Sequence, residues 1–172
     1  MANNSTTLIQ NLEWLPQVIV SGGQTGVDRA ALDWAISHQI LHDGWCPKGR
    51  MAADGSLSLT YRLLETESAG YRQRTKLNVR DTDATLIFNT GALDGGTLAT
   101  VRFTQAMHKP HLVLQLDELG GQTVPKLIEW LRTGQFVRLN VAGPREEKRP
   151  GIYSRVFCAL EQVLQSCIDP QG

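Results

Sequence analysis

Residues 18–29 constrain this chain more than any other stretch: Val18, Ile19 and Val20 run directly into Ser21, Gly22, Gly23, Gln24, Thr25 and Gly26. The β-branched triplet favours extended backbone. Behind the glycines, Val27, Ala30, Ala31, Trp34, Ala35 and His38 recur at three- and four-residue spacing, the period of a helix with one apolar face. Glycine at Gly22, Gly23 and Gly26 lets the backbone take positive φ and approach a ligand closely, and the helix behind adds free N–H groups and the positive end of its dipole. This strand, loop and helix predict an anion cradle, with phosphate the natural occupant. A merely tight turn is the competing reading. Neither Gly-x-Gly-x-x-Gly nor a Walker Lys-Ser/Thr pair is present, which removes the two most familiar nucleotide loops.

The same logic returns twice. Residues 84–88 (Ala-Thr-Leu-Ile-Phe) read as a buried strand and run into Asn89, Thr90, Gly91, Asp94, Gly95, Gly96 and Thr97, after which Leu98, Val101, Arg102, Ala106 and Met107 keep helical spacing. Residues 136–141 form a last strand, followed by Gly143, Pro144 and Arg145 and by a helix from about Pro150 with Ile152, Val156, Phe157, Leu160, Val163 and Leu164 on one face. Between these units lie a strand at 111–116 and a helix that Pro125 opens and Gly134 closes. The alternation predicts an α/β fold, a Rossmann-like open, mostly parallel sheet with helices on both faces. We expect an N-terminal tail over 1–16 and a single Rossmann-like domain over 17–168. Parallel strands bring their carboxyl ends to one edge, so the loops at 22–26, 89–97 and 140–146 are expected to open into one crevice.

The middle of the chain is less periodic. A short second strand is expected around Trp45, then a loop over 47–55 whose Lys48 and Arg50 are cations within reach of an anion at the first loop; loop cations are more often simply solvated. Residues 72–80 carry Arg72, Arg74, Lys76 and Arg80, a solvated helical face on which Arg74, Thr75 and Asn78 fall one turn apart and share a side toward a ligand. His38 and His42 are expected at the end of the first helix.

Composition excludes several function classes. Seventeen Lys plus Arg balance seventeen Asp plus Glu, so no basic field draws in nucleic acid or an anionic membrane. Cys46, Cys158 and Cys167 have neither metal-ligand spacing nor an even count for disulfides, which suits a reducing compartment and predicts no metal site. No basic-then-apolar leader and no apolar run of spanning length is present, so a cytoplasmic protein is expected. The three loops together supply backbone donors, the hydroxyls of Thr25, Thr90 and Thr97, the amides of Gln24, Asn89 and Asn140, and the guanidiniums of Arg74 and Arg145. Such an inventory binds a small anionic ligand carrying a heterocycle, and it is poor in catalytic groups. Asp28 reads as a dipole-favoured cap or ligand orienter. Asp94 reads equally as a turn residue or as an acceptor for a ligand hydrogen.

Three motifs carry a family resemblance: Ser-Gly-Gly-Gln-Thr-Gly-Val-Asp-Arg-Ala-Ala-Leu-Asp-Trp-Ala from Ser21, Asn-Thr-Gly-x-x-x-Gly-Gly-Thr from Asn89, and Asn-Val-Ala-Gly-Pro-Arg-Glu from Asn140. Together, from about Val18 to Leu164, they resemble the molybdenum cofactor carrier proteins, a circularly permuted branch of the SLOG superfamily that includes the cytokinin-activating phosphoribohydrolases. The resemblance implies a Rossmann-like subunit, commonly a homotetramer, that binds, protects and transfers molybdopterin, with molybdoenzymes as recipients. It puts the phosphate-loop role on Gly22, Gly23, Gln24, Thr25 and Gly26, and the second-loop role on Gly95, Gly96 and Thr97. The phosphoribohydrolases carry Pro-Gly-Gly-x-Gly-Thr-x-x-Glu, and aligning their Gly-Thr on Gly96 and Thr97 puts Thr100 where their catalytic glutamate stands. Losing that carboxylate removes electrostatic stabilisation worth several kcal/mol from an oxocarbenium-like transition state. Binding is therefore expected over hydrolysis, with a nucleotide or ADP-ribose binding protein, or a phosphoribohydrolase-like N-glycosidase using Asp94 or Glu146, as the alternatives.

Overall fold

The computed structural model describes residues 14–117 and 121–168; most of the expected tail, 1–13, lies outside the described residues. Five parallel strands form the central sheet in the order β2-β1-β9-β7-β8: β1 (Val18–Val20), β2 (Leu41–Asp43), β7 (Ala84–Asn89), β8 (His111–Gln115) and β9 (Arg138–Ala142). Among the described residues five helices connect and cover them: α1 (Val27–Ser37), α2 (Tyr71–Arg80), α3 (Gly95–Ala106), α4 (Thr123–Gly134) and α5 (Ile152–Ile168). The α/β reading, with a mostly parallel sheet flanked by helices, is borne out.

The two faces of the sheet differ in chemistry. Along β7, Ala84, Leu86 and Phe88 enter the main core, as do Leu139 and Val141 of β9, where they meet Val27, Ala31 and Trp34 of α1, Leu127 and Leu131 of α4, and Val156 and Val163 of α5. A fully buried Leu, Ile or Phe contributes roughly 1.5–3 kcal/mol here. Strand alternation sends the intervening Thr85, Ile87 and Asn140 to the opposite face, where Asn140 Nδ2 donates to Thr85 Oγ1 at 3.2 Å. On that side α2 packs against α3, and α3 against β7.

Chain direction fixes where the site lies. From β1 the chain crosses to β2 through α1, and from β7 it crosses the other way to β8 through α3. Right-handed crossovers running in opposite directions place their helices on opposite faces and open a crevice at the strand ends between them.

The segment between β2 and α2 corrects two expectations. A short strand does lie at Trp45–Cys46, but it is the third and stands outside the main sheet; the second strand is Leu41–Asp43, so His42 lies in a strand and only His38, at the C-cap of α1, ends a helix. Trp45–Cys46 (β3) pairs with Leu64–Glu65 (β6), and Met51–Ala52 (β4) pairs with Gly55–Ser56 (β5), so the expected loop holds a small hairpin. Arg50 is spent inside it, donating to the carbonyls of Leu63, Ser58 and Tyr61 at 2.9–3.0 Å. Those bonds remove it as a ligand cap.

Candidate functional site

A crevice of about 520 Å³ opens at the carboxyl ends of β1, β9 and β7, within the usual size range of small-ligand sites. Gly22, Gln24 and Asp28 supply one wall; Arg74, Thr75 and Asn78 of α2 supply a second. Asp94, Gly96 and Thr97 at the start of α3 face Asn140 of β9 and Gly143, Pro144 and Arg145, which follow it. All three loops read from the sequence thus reach one crevice. Reasoning from sequence missed Tyr71, Glu147 and Lys148 as lining residues, while Thr100, singled out from the sequence, does line it. Lys148 had a signal, since it lies three residues beyond Arg145 in the same loop; Tyr71 had none beyond its place one turn before Arg74.

In the first loop the N–H groups of Gln24 and Thr25 are already engaged. Asp28 Oδ2 accepts the Gln24 N–H at 3.3 Å and Arg74 Nη1 at 2.7 Å. Gln24 Oε1 accepts the N–H groups of Thr25 at 3.1 Å and Ala53 at 2.7 Å. Arg74 lies directly over Gly22, whose absence of a side chain makes the approach possible: a Cβ there would stand 1.6 Å from Nη1. Asp28 therefore brings its own negative charge to the positive end of α1, only 3% exposed. One donor is left over, because Arg74 Nε is buried without a hydrogen-bond partner.

The start of α3 is arranged differently. Its first main-chain bond runs from the Leu98 N–H to Asp94 O at 3.0 Å, so the N–H groups before Leu98 have no helical acceptor. Lys148 Nζ lies 2.5 Å from Asp94 Oδ1, with Arg149 Nη2 3.6 Å from Oδ2. That lysine holds the Asp94 carboxyl below the usual carboxylate range. Thr100 is 3% exposed and its Oγ1 donates to Gly96 O at 2.9 Å, so its hydroxyl is tied to the helix backbone.

The remaining candidates do not line the crevice. Gly23 turns its carbonyl to Arg29, which donates through Nε at 3.2 Å and Nη2 at 3.1 Å. Thr25 Oγ1 donates to Glu147 Oε2 at 2.7 Å, and Gly26 is pressed against the 144–146 backbone. Asn89 Nδ2 is spent on Gly91 O and Gln115 Oε1, and the Thr90 carbonyl accepts Arg149 Nε. Gly95 supplies the turn into α3 at φ 48°, and Lys48 stands exposed in its loop. Asn78 lines the crevice yet also brackets Trp45, accepting its N–H at 2.7 Å and donating to its carbonyl at 3.2 Å.

No metal centre accompanies these groups: among the described residues no three His, Cys, Asp or Glu side chains gather to hold an ion. Cys46 is buried beside Leu32, Ala52, Leu57 and Leu63, and burial pushes its thiol pKa up. No helix among the described residues is long and apolar enough to cross a membrane.

Comparison with known proteins agrees with this fold. The family model for the circularly permutated YpsA SLOG family matches residues 19–164. A solved structure from Syntrophus aciditrophicus SB, named "Putative molybdenum carrier protein", superimposes with a TM-score of 0.83 at 44% sequence identity, covering 87% of this chain and 95% of that one. Among curated proteins none matches. Matched over most of its length, and sharing its fold with a relative of that identity, the chain belongs to the circularly permutated YpsA SLOG family.

Proposed function

We propose that this protein is a non-enzymatic carrier that binds, protects and transfers the molybdenum cofactor, held through molybdopterin in the crevice at the ends of β1, β9 and β7. The observation that carries the reading is the buried, partnerless Nε of Arg74 in a crevice whose carboxylates are all engaged: Asp28 with Arg74, Asp94 with Lys148, Glu147 with Thr25. Such a site keeps donors for an anion and offers no free carboxylate to cleave a glycosidic bond. Because Asp28 already neutralises the end of α1, charge placement favours the start of α3 as the seat of the phosphate, at the N–H groups of Gly96 and Thr97 with Lys148 and Arg145 nearby. That assignment moves the anionic end away from the 22–26 loop.

The residues present fit the organic part of the cofactor. Among the described residues that line the crevice none offers molybdenum a thiolate or imidazole, so the cofactor itself would hold the metal. A cytoplasmic homotetramer of single-domain subunits, delivering to molybdoenzymes, completes the reading; the name of the related structure, a molybdenum carrier, supports its carrier part. The test is to incubate the purified protein with cofactor released from a molybdoenzyme, desalt it, and assay pterin fluorescence and molybdenum. Co-elution of both supports the carrier; base released from a panel of nucleoside monophosphates favours a phosphoribohydrolase instead.

A further inference from the structure

Tyr71 is the one aromatic side chain lining the crevice among the described residues, and neither the loops nor the hydrolase motif accounts for it. It opens α2 behind the extended Gly70 and remains 36% exposed. Two crevice cations address its ring: the Arg145 guanidinium carbon lies 4.3 Å from the centroid and that of Arg74 5.9 Å. One cation comes from the β9–α5 loop, the other from the same helix one turn on. The ring therefore stands where two walls of the crevice meet, with the positive charges for an anion beside it. An exposed tyrosine held this way presents a flat, rigid surface at small entropic cost, and planar heterocycles stack on such rings without needing a matched set of hydrogen bonds.

We propose that Tyr71 is the stacking platform for the planar ring of the ligand, on the face of the ring that the Arg145 guanidinium leaves open, while the phosphate is held at the start of α3. The inference rests on the reading of the crevice as a site for a ligand that joins a heterocycle to an anion. It adds the residue that selects for the ring. A merely structural Tyr71 that only props Arg145 would affect every anion alike; a platform affects only ligands with a ring.

The experiment compares guanosine 5′-monophosphate with ribose 5-phosphate, which share sugar and phosphate and differ by the bicyclic base, by calorimetric titration of wild type, Tyr71→Ala and Tyr71→Phe. Wild type is expected to prefer the ring-bearing probe; Tyr71→Ala weakens that probe ~10-fold and leaves ribose 5-phosphate unchanged, and Tyr71→Phe keeps the wild-type preference. Thermal unfolding of the three proteins confirms that each is folded. Equal weakening of both probes, no weakening, or a wild type without preference for the base overturns the proposal. Retention of molybdopterin by wild type is scored separately: a carrier that retains it while Tyr71→Ala fails to discriminate loses only the platform, and a protein that retains none while discriminating loses only the carrier reading.

Discussion

Arg74 Nη1 lies 2.7 Å from Asp28 Oδ2, an ion pair that ties α2 to the first turn of α1 across the crevice. Its partners are 12% and 3% exposed, so the charges are largely desolvated and each depends on the other. Arg74→Ala leaves a buried carboxylate whose remaining support is the Gln24 N–H and the helix dipole, and is expected to lower unfolding free energy by about 3 kcal/mol in urea titrations. Adding Asp28→Asn to that variant should recover part of the loss, because no charge is then left unpaired. A single variant as stable as wild type would show that the pair is not buried as described.

How much of this was legible beforehand varied with the strength of the local signal. β7 and the helix of Val27, Ala31 and Trp34 were readable because β-branched runs and a 3.6-residue period leave little choice. β2 was not: Leu41, His42 and Asp43 form a three-residue strand at the edge of the sheet with Leu41 62% exposed, so no apolar pattern marks it. The crevice loops were legible from their glycines, and the three-loop convergence from strand direction alone. What could not be read was occupancy of the donors, since the Gln24 N–H is taken by Asp28 and Arg50 by three carbonyls far from it in pattern.

Gly26 tests the seam between the first and third loops. It has φ 81°, and a Cβ there would stand 2.6 Å from both Glu146 N and Pro144 O, backbone atoms that cannot swing aside. Gly26→Ala is therefore expected to cost ~3 kcal/mol, as left-handed strain and overpacking add. Chemical denaturation measures it, and a loss below that of a typical surface substitution would contradict the contact.

Lys148 separates binding from folding. Both it and Asp94 are more than 40% exposed, so Lys148→Ala should change stability by less than about 1 kcal/mol. The same change removes a cation beside the start of α3 and is expected to weaken ribose 5-phosphate ~5-fold, more at low ionic strength. Calorimetry at two salt concentrations reads both effects. Undiminished affinity would move the phosphate elsewhere.

At alkaline pH the Asp33 cluster becomes the weak point. Asp33 accepts the hydroxyls of Tyr61 at 2.6 Å and Tyr153 at 2.8 Å, joining α1, the 57–63 segment and α5. Burial, reinforced by the hydrogen bond to Asp33, pushes Tyr153 up to about 12 and Tyr61 higher still. A raised folded pKa means the folded state holds its proton more tightly, so the contribution is complete below the unfolded tyrosine value of about 10 and is lost as pH climbs toward 12. Unfolding free energy should fall across that window, and Tyr153→Phe should flatten part of the slope. A curve level from pH 10 to 12 would contradict the assignment.

The proposed carrier role requires that the crevice hold a molybdopterin ligand intact. Its most direct measurement is the molybdenum and pterin content of the purified protein after incubation with released cofactor and desalting, with Arg74→Ala in parallel. Near-equimolar pterin and molybdenum are expected on the wild-type chain, with clear loss on the variant. Wild-type protein that emerges free of both, or that retains them no better than Arg74→Ala, would contradict it.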